Sequence, residues 1–360
     1  MKRPLLLCCF TAMLALGGLA SCTTTVHMQA LAPASVSMPV QMQRIATANR
    51  VLPESPRDKF FDVLEGIFTG EGPLVDRAGA ESCTMSVGEA LMRNSPRFRV
   101  TPASLQLLGR TREFFLPPMA PDYVREVCRR SQVDGLVVLE AFDSDMQLTQ
   151  SVEERVIKEK DKPDRKVPVT VVHMSMRVVT GFRTYGPQGL VVDQARQEDR
   201  LNFVSEGDTY QQALRGLPAP EECIRRVSTR IGDQYARRIA PSYVNLSREV
   251  YTRAKRDELL RQANVRVQAE DWEQAATVWR QAAQSTDPKV AGRACYNLAV
   301  YHEMNGSLSS AVDFARKAAY DYQLANARDY VRQLQARQQA AQTVEQQMGS
   351  SATDGLGGGQ

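Results

Sequence analysis

Apolar and polar residues alternate with different periods along this chain, and each change of period marks an element. Strict alternation runs from Val172 to Phe182. Val172, Met174, Met176, Val178 and Phe182 share one face, and His173, Ser175, Arg177 and Arg183 take the other. A period of two predicts a half-buried antiparallel strand. Gly186-Pro187-Gln188-Gly189 then turns it into a partner strand from Leu190 to Phe203. Upstream, DGLVVLEAF (134–142) is almost continuously apolar between turn residues, which predicts a strand covered on both faces. Ile45–Arg50 predicts another strand and Phe98–Val100 a short one. Helical spacing appears over Arg77–Asn94, and again over 121–132, where Pro121 occupies the favoured first turn.

Glu153–Lys166 has few apolar residues and reads as a solvated excursion. Asp208 with Gln211 three residues on predicts a capping box, and Gly216 closes that short helix. Pro220 opens a longer helix whose stripe is Ile224, Val227, Ile231, Tyr235 and Ile239, until Pro241 stops it. Arg225-Arg226 and Arg237-Arg238 lie on its solvated face. The order β-α-β-α-β, a hairpin, then helices predicts an α+β fold, with a mixed sheet covered by helices over residues 45–245.

From Tyr251 to about residue 347 the chain becomes rich in helix formers and repeats itself at an offset of 36. Ala263, Glu270-Asp271-Trp272, Ala275 and Ala282 align with Ala299, Gly306-Ser307-Leu308, Ala311 and Ala318. This predicts an α-helical hairpin array over 246–347, of two units and a terminal helix at 323–346. ACYNLAVYHEMNGSLSSAVDFARKA (294–318) resembles a tetratricopeptide unit, with Gly306 at its tight turn. Glu270 stands where glycine is usual, so its turn is expected to differ. Trp272 and Trp279, seven apart, are expected to pack in the core rather than stack on a ligand. Residues 348–360 are glycine-rich and expected to be disordered.

The first residues bear on location. Lys2-Arg3 precedes an apolar run, Leu5–Ala20, that is shorter than the roughly 20 residues of a membrane span. That is the plan of a secretory signal over 1–21. Leu19-Ala20-Ser21-Cys22 resembles the bacterial lipobox, which makes Cys22 the lipid attachment site and 22–44 a lipidated tether with one strand near Ala34–Val40. Thr23-Thr24-Thr25, with no aspartate beside the cysteine, resembles lipoproteins of the outer membrane that face the periplasm.

Composition excludes more than it assigns. Loss of Lys2 and Arg3 with the signal takes the formal charge from +4 to +2, which argues against nucleic-acid binding. Cys83, Cys128, Cys223 and Cys295 lack the spacing of a zinc site. Buried free thiols are the simplest reading and a Cys83–Cys223 bridge the alternative. His27, His173 and His302 share no ligand spacing, and neither a nucleophile elbow nor a phosphate loop is present. No enzyme, metal or cofactor is expected beyond the covalent lipid. Asp143 and Asp145 follow the apolar strand as a solvated pair or the mark of a pocket. His173, Arg177, Arg183 and Tyr185 form either a solvent-facing strand or a site for a glycan or small anion, with Arg183 and Tyr185 as ligands.

PASVSMP (33–39), DGLVVLEAF, GFRTYGPQGLVVDQ (181–194), YARRIAPSYVNLSREVY (235–251), EDWEQAATVW (270–279) and YNLAVYHEMNG (296–306) together resemble a family of uncharacterised lipoproteins from Bacteroidetes. Those proteins carry a domain of unknown function and tetratricopeptide-like repeats. Phe182 and Tyr243 replace tryptophans of that pattern with other aromatic rings. The resemblance implies a protein held in the envelope by its lipid. With repeats that commonly present binding surfaces, the expected role is a protein–protein interaction module in envelope assembly or transport, engaging its partner through the repeat region.

Overall fold

The computed structural model describes residues 22–51, 73–107, 114–158, 163–254 and 257–349. The expected signal, 1–21, and residues 350–360 of the expected tail lie outside them. In chain order the elements are β1 (Thr23–Ala32), β2 (Arg44–Asn49), α1 (Pro73–Asn94), β3 (Arg99–Gln106), α2 (Pro121–Ser131), β4 (Gly135–Ile157), β5 (Arg165–Tyr185), β6 (Val191–Gly207), α3 (Tyr210–Arg215), α4 (Pro220–Ile239) and β7 (Ser242–Tyr251). The helices α5 (Leu259–Gln268), α6 (Trp272–Ala282), α7 (Pro288–Met304), α8 (Leu308–Arg316) and α9 (Ala327–Met348) follow. The fold is α+β. Its described residues divide into two compact units, one of 30–244 with 339–349 and one of 22–29 with 245–338.

The larger unit is built on a five-stranded sheet in the order β3-β2-β4-β5-β6. β2 pairs parallel with β3 and β4, and β4-β5-β6 is an antiparallel meander. DGLVVLEAF is covered on both faces, as its pattern requires. Val137 and Leu139 join Cys83, Val87, Leu91, Ile224 and Ile231 from α1 and α4 in one core. Leu136 and Val138 join Val124 and Cys128 of α2 on the other face. Met174, Met176, Val178 and Phe182 of β5 are buried as the alternation predicts.

Three local expectations are corrected. Both ends of Glu153–Lys166 are strand: Glu154 pairs with Pro168 and Ile157 with Arg165 in a ladder that extends the hairpin. Its described side chains are exposed, because a ladder satisfies main-chain groups without any apolar face. The cap of α3 is Thr209, whose hydroxyl accepts the Gln212 N–H at 3.3 Å, one residue later than the capping box expected at Asp208. Residues 22–44 are not a plain tether, since Thr23–Ala32 forms β1 and no strand covers Ala34–Val40.

In the smaller unit β1 pairs with β7 in a two-stranded sheet. The Cys22 carbonyl accepts the Thr252 N–H at 2.9 Å, His27 meets Ser247 and Gln29 meets Asn245, so the two strands run in opposite directions. Val26, Met28 and Val250 enter the same core as Trp279, Ala299, Leu298 and Tyr330. The helices form two hairpins, α5–α6 and α7–α8, followed by α9. Small residues sit where the helices cross: Ala263, Ala275, Ala299 and Ala311 are all fully buried. The two hairpin turns are alike, contrary to expectation, because Glu270 takes the left-handed φ of 57° that Gly306 takes at 73°.

Candidate functional site

Of the five described cysteines, Cys22 is the exposed one; Cys83, Cys128, Cys223 and Cys295 are buried free thiols. Burial pushes Cys128 and Cys295 each up to about 11 and Cys83 higher still, so none is a thiolate near neutral pH. Cys83 and Cys223 share one core as thiols, without the bridge considered from sequence. A hydrogen bond from Arg253 holds the Cys22 thiol below its ordinary value. The accessible thiol among the described cysteines is therefore the residue that the lipobox-like motif marks.

Arg183 and Tyr185, the expected anion ligands, are brought together, but inside the protein rather than on a solvated face. Arg183 hydrogen-bonds the Glu140 carboxylate and the Leu116 carbonyl, and its Nε donates to Gln194 Oε1 at 2.7 Å. The Tyr185 hydroxyl donates to Glu140 Oε1 at 2.9 Å and accepts the Met119 N–H at 3.1 Å. Arg50 Nη1 donates to the same Glu140 oxygen at 3.0 Å and to the Pro117 carbonyl at 3.2 Å. The Phe115 ring lies 5.0 Å from the Arg183 guanidinium. Two buried guanidinium groups thus share one carboxylate and fasten residues 114–119 to the sheet. The visible signal for Glu140 was its charge within an otherwise apolar run; nothing marked Arg50 as its partner.

Other candidates are spread apart. His27 lies on β1, exposed His173 on β5, and His302 on α7, where it stacks on Phe314 at 5.2 Å. Asp143 and Asp145 lie within β4, not in a loop, and Asp145 accepts Gln147 Nε2 at 3.2 Å. Arg177 is paired with Glu198 at 2.6 Å. Trp279 is buried in the core. Trp272 is half-buried at its edge and lines a surface pocket of about 500 Å³ with His27, Glu270 and Met304. No group of three side chains able to hold a metal ion occurs among the described residues.

These features define an α+β protein with packed helix pairs, an exposed thiol at Cys22 where the β1–β7 ladder begins, and a buried charge cluster against its larger sheet. Residues 42–251 match the family model described as Domain of unknown function (DUF8603), and the chain belongs to that family. Residues 261–336 match a second, described as Domain of unknown function (DUF6340). No curated protein matches the chain.

Proposed function

We propose that this protein is an outer-membrane lipoprotein, acylated at Cys22 and facing the periplasm, whose tetratricopeptide-like helix pairs bind a protein partner in envelope assembly or transport. One observation carries the reading: the Leu19-Ala20-Ser21-Cys22 box stands directly before a folded body, and among the described cysteines Cys22 is the exposed one. Among the described residues no helix is long and apolar enough to cross a membrane, so attachment would fall to acyl chains at about 0.8 kcal/mol per buried CH₂. The role is a binding one, and no catalytic residue is assigned. A glycan or small anion on the 172–203 hairpin has less support, because Arg183 and Tyr185 already serve Glu140.

Metabolic labelling with an alkyne fatty acid tests the anchor. Label is expected on the native chain and not on Cys22→Ala, which should leave the membrane fraction; equal membrane retention of both would overturn it. Photo-crosslinkers at Val265 and Tyr320, 62% and 57% exposed on the helical unit, test the partner. A discrete adduct in intact cells is expected, whereas only a diffuse smear would reject a specific partner.

A further inference from the structure

A tethered lipoprotein reaches away from its membrane on a flexible linker, and the span grows as about 5 to 6 Å times the square root of the linker length. This chain has no such linker. β1 begins at Thr23, and the carbonyl of Cys22 itself accepts the Thr252 N–H at 2.9 Å. The anchoring residue is already part of the strand ladder, whose next turns of side chain, Val26 and Met28, are buried in the helical core. Whatever holds Cys22 therefore also holds the smaller unit.

The surroundings of Cys22 are cationic. Arg253 follows Thr252 directly and hydrogen-bonds the Cys22 sulfur, while Arg293 of α7 donates to the Arg253 carbonyl and stacks its guanidinium 4.7 Å over the Tyr251 ring. Acylation turns the thiol into a thioether, a weak acceptor, and keeps Arg253 beside the acylated sulfur. A basic residue beside an anionic leaflet adds about 1 kcal/mol of attraction, or about fivefold in affinity by the usual conversion.

We infer that the smaller unit lies directly on the bilayer, held by Cys22 with no intervening tether and steered onto anionic lipid headgroups by Arg253 beside it. The inference rests on acylation at Cys22. It places the binding module at the membrane surface, so a partner comes to the membrane rather than being met across the periplasm.

The test uses the full lipidated chain in vesicles of phosphatidylethanolamine with a minor share of phosphatidylglycerol. Thr25, exposed and about 10 Å along the strand from Cys22, is changed to cysteine and spin-labelled; the buried thiols do not compete. Collision with a nickel chelate carried on lipid headgroups is then measured. Strong relaxation is expected, falling at least about threefold when roughly 20 Gly/Ser residues are inserted between Cys22 and Thr23. Omitting phosphatidylglycerol from the vesicles is expected to weaken relaxation in the chain without the insertion, a comparison that needs no insertion to fold. Mass spectrometry of Cys22 and vesicle flotation are run in parallel. If the chain is acylated and floats, yet relaxes no more than the linker form and ignores lipid charge, flush seating is overturned and the anchor stands. If Cys22 carries no lipid, both readings fall together.

Discussion

The side-chain amide of Asn297 pairs with both main-chain groups of Tyr251: its Oδ1 accepts the Tyr251 N–H and its Nδ2 donates to the Tyr251 carbonyl, each at 2.7 Å. Asn297, fully buried on α7, thereby acts as a strand partner for the last residue of β7. The same device recurs in the larger unit. Gln347 Oε1 accepts the Ala34 N–H at 2.8 Å, and its Nε2 donates to the Ala34 carbonyl at 2.9 Å. Main-chain groups left without a ladder partner are satisfied by a carboxamide, which offers a donor and an acceptor side by side without a change of protonation.

Removing either amide takes the side-chain partner from two main-chain groups, part-buried at Tyr251 and buried at Ala34. Asn297→Ala is expected to cost about 2 to 4 kcal/mol in urea unfolding, the lower part of the range for two groups at about 1 to 3 each, because both are part-buried. Asn297→Asp keeps the acceptor but sets an anion against the Tyr251 carbonyl, and is expected to cost at least as much. A loss below about 0.5 kcal/mol for Asn297→Ala, the range of an ordinary surface change, would mean that water replaces the lock.

Glu140 is the one carboxylate that two buried guanidinium groups share. Glu140→Gln is expected to destabilise the chain by about 3 to 5 kcal/mol. Replacing all three charges together, Arg50→Met with Glu140→Leu and Arg183→Met, is expected to cost less than the single change, because no buried charge is left unpaired. Denaturation midpoints of the two variants decide the matter, and the reverse order would reject a charge-balancing role.

The two hairpin turns differ in strain. Glu270 adopts a left-handed φ that costs a side-chain-bearing residue about 1 kcal/mol. Glu270→Gly is therefore expected to raise stability by about 0.5 to 1 kcal/mol, offset in part by glycine's added unfolded-state entropy. At Gly306 a Cβ would meet nothing within 4 Å, so Gly306→Ala tests φ alone and should destabilise by about 1 kcal/mol. Thermal midpoints moving the other way at both sites would refute the assignment.

Glu303, 2% exposed, is pushed up by burial, but hydrogen bonds from Arg248, Tyr330 and Arg337 outweigh this and hold its carboxyl below the usual value. A carboxyl depressed in the folded state contributes stability that is complete above its unfolded value, about 4.3, and lost as pH falls through the folded one. Stability is thus expected to drop with acid below about pH 4, and Glu303→Gln to flatten that slope while lowering stability at pH 7. An unchanged slope in urea titrations across this range would contradict the assignment.

Thiol reactivity offers a check on the cysteine assignments. With the leader removed and no lipid attached, the native chain is expected to react with maleimide at Cys22 alone, and at Cys83, Cys128, Cys223 and Cys295 only after unfolding. Chain extracted from membranes is expected to show no fast thiol. A second fast site in the folded, unlipidated chain would show that one of the four is not buried.

The sequence by itself determined the period of each element, because burial on one face or two writes itself into the order of residues. The 172–182 alternation, the apolar DGLVVLEAF run, the α4 stripe and the 36-residue helical repeat all read through to the fold. It also carries the lipobox-like motif at Cys22, which is a local run of residues. Tertiary structure decided what depends on partners distant along the chain. β1 carries only a short alternation, Val26-His27-Met28-Gln29-Ala30, and pairing with β7 some 220 residues away, as His27 does with Ser247, fixes it as a strand. Arg183 reads as surface by its place in the alternation, yet the carboxylate of Glu140 draws it inside. Glu270 follows the left-handed turn of Gly306 because helix packing outweighs about 1 kcal/mol of local backbone preference. Local patterns carry periodicity, whereas charge pairing, main-chain locks and strand partners are settled only when remote segments meet.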